Sequence, residues 1–506
     1  MKKPQIPGRS GRPCRCVVFC LLVSAFTIWS FQHIGFPAEA ADATGSSNLL
    51  QQGEEQGYEN FTTRSSSEKL EFLPVEDEIR VPRSPEFEST EDACEGRRMY
   101  IHPLPPEFND AILALCDAYE SWTSFCEHAK NGGFGPRTHR RSRSWYRTDA
   151  YMLELIFHNR AKRYDCLTES STEADVFFIP YYAGLDALRY LYGDEIERGA
   201  DHGARLVQWL RDNASEAWQR RGGADHFVVM GRPAWDFSRP LGRADGWGTS
   251  ILEAPPMLNV TSLVLESRAF PWQEQAVPYP TAFHPASSAS LAMWMSRVRR
   301  SRRSFLFAFA GGGGTGTGPN IRHSIREECP APDTVGPGDT PVRCLFISCD
   351  GERCDHDPGY LMRVMMKADF CLQPPGDTPT RRSTFDGIVA GCIPVFFEPQ
   401  GAYTQYTWHL PAEPREYSVM IPKDEVIFGH AGIGDILGNV SRAEVARMRE
   451  RVIGLIPRVV YRKPDAPGGA EFKDAFDVAL EGVLRRVKSL QAGSMEQEYG
   501  SKQVFL

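Results

Sequence analysis

The chain has no acidic residue in its first 37 positions, and no Asp, Glu, Lys or Arg from Cys16 to Ala38. The uncharged core VVFCLLVSAFTIWSF, behind the basic tail KKPQIPGRSGRPCR, predicts a membrane-inserting segment with its positive end inside. The run is shorter than the roughly 20 residues of an average span, which suits a thin bilayer such as an early secretory membrane. A cleaved signal peptide ending at Ala38-Glu39-Ala40 is the alternative, but the apolar run exceeds the usual signal core, which favours an uncleaved anchor. An excess of basic charge is also missing: 57 Lys and Arg face 65 Asp and Glu, for a formal charge of −8. Five of the positives fall in the first 37 residues, so residues 38–506 sum to −13. So acidic a body excludes a nucleic-acid binder, which needs basic surface to neutralise phosphates. No internal repeat is visible either.

What is present suffices for more than one core: 506 residues, 42% hydrophobic and 11% aromatic. Of the thirteen cysteines, Cys14, Cys16 and Cys20 lie at the membrane edge and ten lie beyond it, in an oxidising lumen where disulfides form. Their order alone does not fix the pairing. Asn60, Asn213, Asn259 and Asn439 head Asn-x-Ser/Thr triplets and are candidate glycosylation sites. Residues 37–94 are rich in Glu, Ser, Gly and Gln, a composition that does not repay the entropy of folding, and are read as a stem.

From Arg98 onward the texture changes. MYIHPLP opens with a strand-like run and NDAILALCDAYESW repeats apolar residues at helical spacing. The runs ADVFFIPYY, DHFVVMG, TSLVLES, RRSFLFAFAGG, VRCLFIS, DFCLQ and IPVFF are continuously apolar and separated by amphipathic stretches such as TDAYMLELIFHNRAKRY. Continuous rather than alternating hydrophobicity predicts parallel strands buried on both faces, hence an α/β class with two lobes. The boundaries expected are a cytosolic tail over 1–15, an anchor over 16–36 and the stem. They are followed by one α/β lobe over 95–302, a second over 303–425, helices over 426–490 and a tail over 491–506.

The stretch QPPGDTPTRRSTFDGIVAGCIPVFF, 373–397, reads as strand end, loop, helix and next strand. Ligands in open α/β sheets bind beyond the carboxyl ends of strands, and a helix N-terminus presents unpaired N–H groups and partial positive charge to an anion. Gly376 and Asp377 lie in this loop; Arg381, Arg382 and Ser383 lie at the start of the helix. Planar guanidiniums match phosphate oxygens, and the anion predicted is the pyrophosphate of a nucleotide sugar. Ser383-Thr384-Phe385-Asp386 also has the pattern of a capping box, so Asp386 is read both as a cap and as a ligand for ribose hydroxyls.

A second phosphate-facing element is FLFAFAGGGGTGTGPNIRHSIREEC, with Asn320 and Arg322 where its helix begins, although its glycines lack the G-x-G-x-x-G spacing of a dinucleotide site. The run RVRRSRR before it reads as a solvated face. Asp355-His356-Asp357 imitates a metal motif but does not follow a buried strand, and for Cys344, Cys349, Cys354 and His356 the compartment favours disulfides over zinc. Tyr406, Trp408 and His409 in TQYTWHLP have two readings, a surface that packs on a sugar ring or core.

The motifs QPPGDTPTRRSTFDGIVAGCIPVFF, AYTQYTWHLP, ADVFFIPYYAGLDALRYLY, DHFVVMGRPAWDF and VPYPTAFHP resemble the plant exostosin-like glycosyltransferases of family 47, in particular the Golgi xyloglucan galactosyltransferases. The likeness runs from about Arg98 to Val487. It implies a GT-B fold, two Rossmann-like lobes facing a cleft, on a single-pass type II anchor in the Golgi membrane with the catalytic body in the lumen. The reaction implied moves galactose from UDP-galactose to O2 of a xylosyl side chain of xyloglucan, with inversion. No cofactor beyond the donor is implied, and a divalent ion is not indicated; a complex with other xyloglucan glycosyltransferases is a further expected partnership. Arg322 is carried over from the resemblance. Inversion calls for a general base on the acceptor side; Asp186 in PYYAGLDALRY is the first candidate and His284 in PYPTAFHP the reserve. Glu398 stands where those galactosyltransferases have His, which leaves open another UDP-sugar, arabinopyranose or galacturonate. A catalytically silent partner of a true transferase is the alternative from another class.

Overall fold

The continuously apolar runs become the strands of two parallel sheets. In the computed structural model, residues 92–118, 125–138, 144–192, 195–243, 246–312, 320–329, 343–349, 354, 358–429, 432–463 and 472–492 are described. The segment 16–36, the stem to residue 91, Asn60 and Asp355-His356-Asp357 lie outside them. No helix among the described residues is long and apolar enough to cross a membrane.

The first sheet is β1 (Met99–Ile101), β2 (Val176–Ile179), β3 (His226–Pro233), β4 (Thr261–Glu266) and β5 (Glu274–Ala276), in that spatial order and parallel throughout. β2, β3 and β4 are buried at every position, as parallel strands covered on both faces must be. The sequential order contains no reversal, so this sheet lacks the switch point that a Rossmann-like lobe would have. The helices Leu153–Ala161 (α1), Ala183–Asp186 (α2) and Ala204–Asn213 (α3) belong to this half.

The helix Ser288–Arg300 (α4) leads to the second sheet of β6 (Phe305–Gly311), β7 (Cys344–Ser348), β8 (Ala368–Gln373), β9 (Ile393–Phe396) and β10 (Val419–Met420). Its order is β10-β9-β8-β6-β7, also parallel. The order in which successive strands are added therefore reverses between β6 and β8, and their carboxyl ends border a crevice of the kind where open α/β sheets bind ligands. The helix Ile321–Glu328 (α5) comes between β6 and β7, and Arg382–Val389 (α6) joins β8 to β9.

Two long helices end the fold, Arg442–Val459 (α7) and Ala475–Gln491 (α8). Each opens with a formed capping box, Ser441 with Glu444 and Asp474 with Asp477. α8 returns to the first half: the buried Arg160 of α1 reaches Asp474 at 3.3 Å and Asp477 at 2.9 Å, and Phe476 packs on Phe157 at 4.6 Å. Gly482 of α8 faces the indole of Trp408, where a β-carbon would fall 2.0 Å from the ring.

The ten cysteines from Cys94 onward form five disulfides, Cys94–Cys166, Cys116–Cys126, Cys329–Cys344, Cys349–Cys354 and Cys371–Cys392. Three of the four residues of the zinc reading are thereby consumed, since a disulfide sulfur is no thiolate ligand. The basic run before β6 is solvated only in part. Arg297, Arg299, Arg300 and Arg302 are exposed, but Arg303 turns inward and donates to the carbonyls of Met365, Ala368, Ala390 and Gly391 at 2.8–3.1 Å. It thus ties β8 to the end of α6.

Glu154 of α1 is fully enclosed and accepts the N–H groups of Gly184 (2.5 Å), Leu185 (3.3 Å) and Gly231 (2.9 Å). It thereby joins the start of α2 to the irregular stretch of β3. Burial outweighs those bonds and raises its pKa to about 8.

Two measurements check this architecture. Replacing Cys371 and Cys392 together by Ser removes a cross-link between β8 and β9 that closes a loop of 21 residues in sequence separation, and should lower the unfolding free energy by about 3 kcal/mol. Urea unfolding without reductant reads it. The second concerns pH. A folded-state pKa raised above the unfolded one contributes stability that is complete below the unfolded value and lost as pH climbs through the folded one. For Glu154 that window runs from about 4.5 to about 8. Between pH 6.5 and 8 the wild type should lose about 1 kcal/mol per pH unit through this group, with a flatter curve for Glu154→Gln. Parallel curves would refute the assignment.

Candidate active site

Two arginines from different connections meet at the switch point of the second sheet. Arg322, in the first turn of α5, donates from Nε to Pro375 O (3.1 Å) and from Nη1 to Gly312 O (3.1 Å), spanning the segments that follow β6 and β8. Arg381, the residue before α6, donates from Nη1 to Thr378 Oγ1 (3.2 Å) and Thr380 O (2.6 Å). Between them lies Gly376, where a β-carbon would fall 1.7 Å from Arg381 Nη2 and 2.9 Å from Arg322 Nη2. Only glycine allows both guanidiniums to close on the same backbone.

The electrostatics of this pair favour an anion. Burial lowers the pKa of both arginines, and the charge of Arg381 lowers that of Arg322 further, while Asp377 opposes the trend for each. Two like charges held together in a partly desolvated crevice repel, and a diphosphate would relieve that repulsion while accepting planar, charge-assisted hydrogen bonds. The start of α6 adds its unpaired N–H groups. Gly376, Asp377, Arg381 and Arg322, singled out in the sequence, are thus brought together.

Across the crevice stands the carboxyl end of β4. A cavity of about 240 Å³ is lined on one side by Trp235, Glu266, Ser267, Arg268 and Ala269, and on the other by Asp377, Thr378, Pro379, Gln400 and Gln405. The two walls are bonded to each other. Glu266 Oε2 accepts the N–H of Thr380 at 2.9 Å and also its hydroxyl, which is 3.0 Å from the hydroxyl of Tyr279. Gln405 accepts from Ser267 N–H (2.7 Å) and its hydroxyl (2.9 Å).

Other residues singled out in the sequence serve the scaffold. Arg382 reaches the first half, donating to Thr148 O at 2.7 Å, with its Nε 3.4 Å from Asp386. Ser383 donates to Gln373 Oε1 at 2.5 Å. The expected capping box does not form: α6 begins at Arg382, so Ser383 is already inside it, and Arg381 is the cap. Asp386 is buried beside Arg382. The His284 ring is fully buried, stacked 3.8 Å from Phe134, with Nδ1 on Tyr461 O and Nε2 on Thr148 Oγ1, both at 2.8 Å. With both nitrogens engaged, it has none to offer an acceptor hydroxyl.

Asp186 is also enclosed. It accepts the Tyr181 hydroxyl, pairs with Arg189 at 2.6 Å and lies 3.7 Å from His202; burial raises its pKa. It lies in the single turn of α2. Asn320 caps α5 by accepting the N–H of His323. Tyr406 and His409 are fully buried, Tyr406 donating to Leu265 O and His409 lying 3.1 Å from Ala475 O, so the aromatic run 404–411 is core. Glu398 pairs with Lys423 at 2.6 Å.

Sequence reasoning passed over Glu266 and Trp235. A carboxylate closing an otherwise apolar parallel strand was the available signal for Glu266, because that end of the strand is where ligands bind. Nothing local distinguished Trp235 from a core tryptophan.

The Exostosin GT47 domain model matches residues 93–431. A probable xyloglucan galactosyltransferase, GT19 of Arabidopsis thaliana, is 52% identical over 80% of this chain and 94% of its own length. Xyloglucan galactosyltransferase MUR3 of Arabidopsis thaliana is 39% identical over 80% of this chain and 64% of its own. Xyloglucan-specific galacturonosyltransferase 1 of the same plant is 33% identical over 86% and 64%. The match to the domain model covers more than half of the sequence, and the chain belongs to the Exostosin GT47 family.

Proposed function

We propose that this protein is an inverting glycosyltransferase of xyloglucan synthesis that moves galactose from UDP-galactose to O2 of a xylosyl side chain. The observation that carries the reading is the meeting of Arg322 and Arg381 at the switch point, beside a cavity that Asp377 and Thr378 line on one side and Glu266 on the other. The two guanidiniums and the start of α6 bind the diphosphate and stabilise the charge that develops as the bond from sugar C1 to phosphate oxygen breaks and its electron pair passes to the leaving group. This supplies electrostatic stabilisation from the protein itself. The GT-B description belongs to this proposal, with the second half binding the donor and the first the acceptor.

Inversion requires the acceptor hydroxyl to attack from the face opposite the nucleotide, so its proton must leave toward the other wall. Glu266 is the carboxylate on that wall, oriented by Thr380. The base role expected of Asp186 passes to Glu266, because Asp186 is held by Tyr181 and Arg189 inside the first half. The names of the relatives support xyloglucan as acceptor and galactose as donor sugar.

One relative uses galacturonate by its name, and a uronate would call for a cation near sugar carbon six. Arg268, the cation that lines the cavity, is already paired with Glu253 and Glu274, each at 2.5 Å, which favours the neutral hexose. The N-terminal segment supports a type II Golgi anchor with a lumenal body. Exposed Asn213, Asn259 and Asn439 are open to glycosylation there.

Calorimetric titration with UDP tests the anion site. Arg322→Ala and Arg381→Ala should each weaken binding by about ten- to a hundredfold, the value of a lost charge-assisted contact; unchanged affinity in both would end the proposal and favour a catalytically silent partner. Glu266→Gln should keep UDP affinity and lose turnover by about a hundredfold or more, whereas Asp186→Asn should lower thermal stability and leave turnover within a few fold. The reverse pattern would return the base to Asp186. Incubation of the lumenal body with a panel of UDP-sugars and galactose-free xyloglucan oligosaccharides should add one hexose by mass; a pentose or uronic acid increment would overturn the donor.

A further inference from the structure

Beside the cavity, the carboxyl edge of the first sheet carries a row of solvent-facing rings. Trp235 follows β3 and lines the cavity itself. Trp247 lies 5.9 Å from it, and Tyr192, from the connection after β2, lies 5.3 Å from Trp247. The three are 42%, 42% and 38% exposed. Large aromatic rings exposed in succession are unusual on a water-facing surface and mark a place where something binds.

The row is held in place rather than adventitious. Trp247 Nε1 donates to Asp236 Oδ1 at 2.6 Å, and the buried Arg232 holds Asp236 Oδ2, also at 2.6 Å. The guanidinium of Arg232 lies over Tyr151 at 4.5 Å and Tyr192 at 5.9 Å. Gly248 has φ +98°, and a β-carbon there would fall 2.8 Å from Trp235 O, so the loop carrying Trp247 is pressed against the turn carrying Trp235. Thr249 N–H closes the contact on Asp236 O at 2.8 Å. A buried ion pair therefore orients a partly exposed indole whose polar edge is already satisfied; Trp235 is tilted 34° from it and Tyr192 meets it at 62°, and what stays open of the indole is apolar ring.

We infer that Tyr192, Trp247 and Trp235 form a platform for the glucan backbone of the acceptor, which presents a xylosyl side chain to the cavity where Glu266 stands. The inference rests on the acceptor reading above and adds the subsite. Both faces of a β-linked glucose ring carry only axial C–H bonds, which pack on aromatic faces, while its hydroxyls project from the rim into water. The spacing from ring to ring is close to the rise of one such sugar along an extended chain. A neutral chain also suits this surface better than a charged one, since Asp236 and Arg232 cancel beneath it.

Native gel electrophoresis in gels containing galactose-free xyloglucan, with no donor present, tests this directly. The wild type should be retarded, and Trp247→Ala and Trp235→Ala should lose that retardation, with acceptor KM raised about tenfold, the equivalent of about 1.4 kcal/mol per lost ring contact. Trp247→Phe should recover most of the binding, and UDP affinity of Trp247→Ala should match the wild type, which certifies its fold. Equal retardation of wild type and both alanine variants, or none for the wild type, would overturn the platform. The platform and the transferase reading fail separately: a wild type retarded by xyloglucan that transfers no sugar keeps the platform and loses the reaction.

Discussion

The repulsion between two guanidiniums closed on one glycine is the constraint on which the rest of the structure turns. Arg322 and Arg381 are held over Gly376 by backbone carbonyls and by the Thr378 hydroxyl. Such an arrangement is costly in a crevice where burial already disfavours charge, and it is tolerable because the surrounding fold is stiff. The Cys371–Cys392 disulfide joins β8 to the residue before β9, and Arg303 gathers four carbonyls beneath the same unit. Strain of this kind, held by rigid elements, is how a site stays ready for a charged leaving group.

Arg322 and Arg381 both belong to the second half; the proposed transfer needs the first half set against them. Thr380 is the hinge point of that relation, placed one residue before Arg381 and bonded to both Glu266 and Tyr279 of the opposite wall. The scaffold roles of Arg382 and His284 belong here too. Thr148 accepts from Arg382 through its carbonyl and bonds to His284 through its hydroxyl, so two residues read as ligand contacts instead help set the two halves in register. α8 completes the arrangement through Arg160 and its two aspartates, a buried charge group that is strongly destabilising to break.

Much of the fold was legible because apolar continuity is a local property. Each of the seven apolar runs named after β1 is a strand, and the parallel class followed from their lack of alternation. The edge strands β5 and β10, three and two residues long, were not legible: strands so short carry no periodic signal and exist only because a neighbour supplies hydrogen bonds. The expected capping box at Ser383 failed for a similar reason. Its pattern is common to any Ser-x-x-Asp at a helix start, and the helix begins one residue earlier, with Ser383 bonded to Gln373 across the loop.

Of the residues gathered at the switch point, Gly376, Asp377 and Arg381 could be singled out in the sequence, because they share one loop between a buried strand and a helix. Their partner residues could not. Glu266 lies 114 residues before Thr380, and Trp235, Trp247 and Tyr192 are gathered from separate loops that only the parallel order of β2, β3 and β4 brings to one edge. The sequence by itself determined the strands and the parallel class, since each rests on residues close together in the chain. Tertiary structure alone decided the disulfide pairing, the order of strands that creates a switch point between β6 and β8, and which carboxylate faces the cavity, because these depend on contacts between segments more distant in the chain than any local pattern can report.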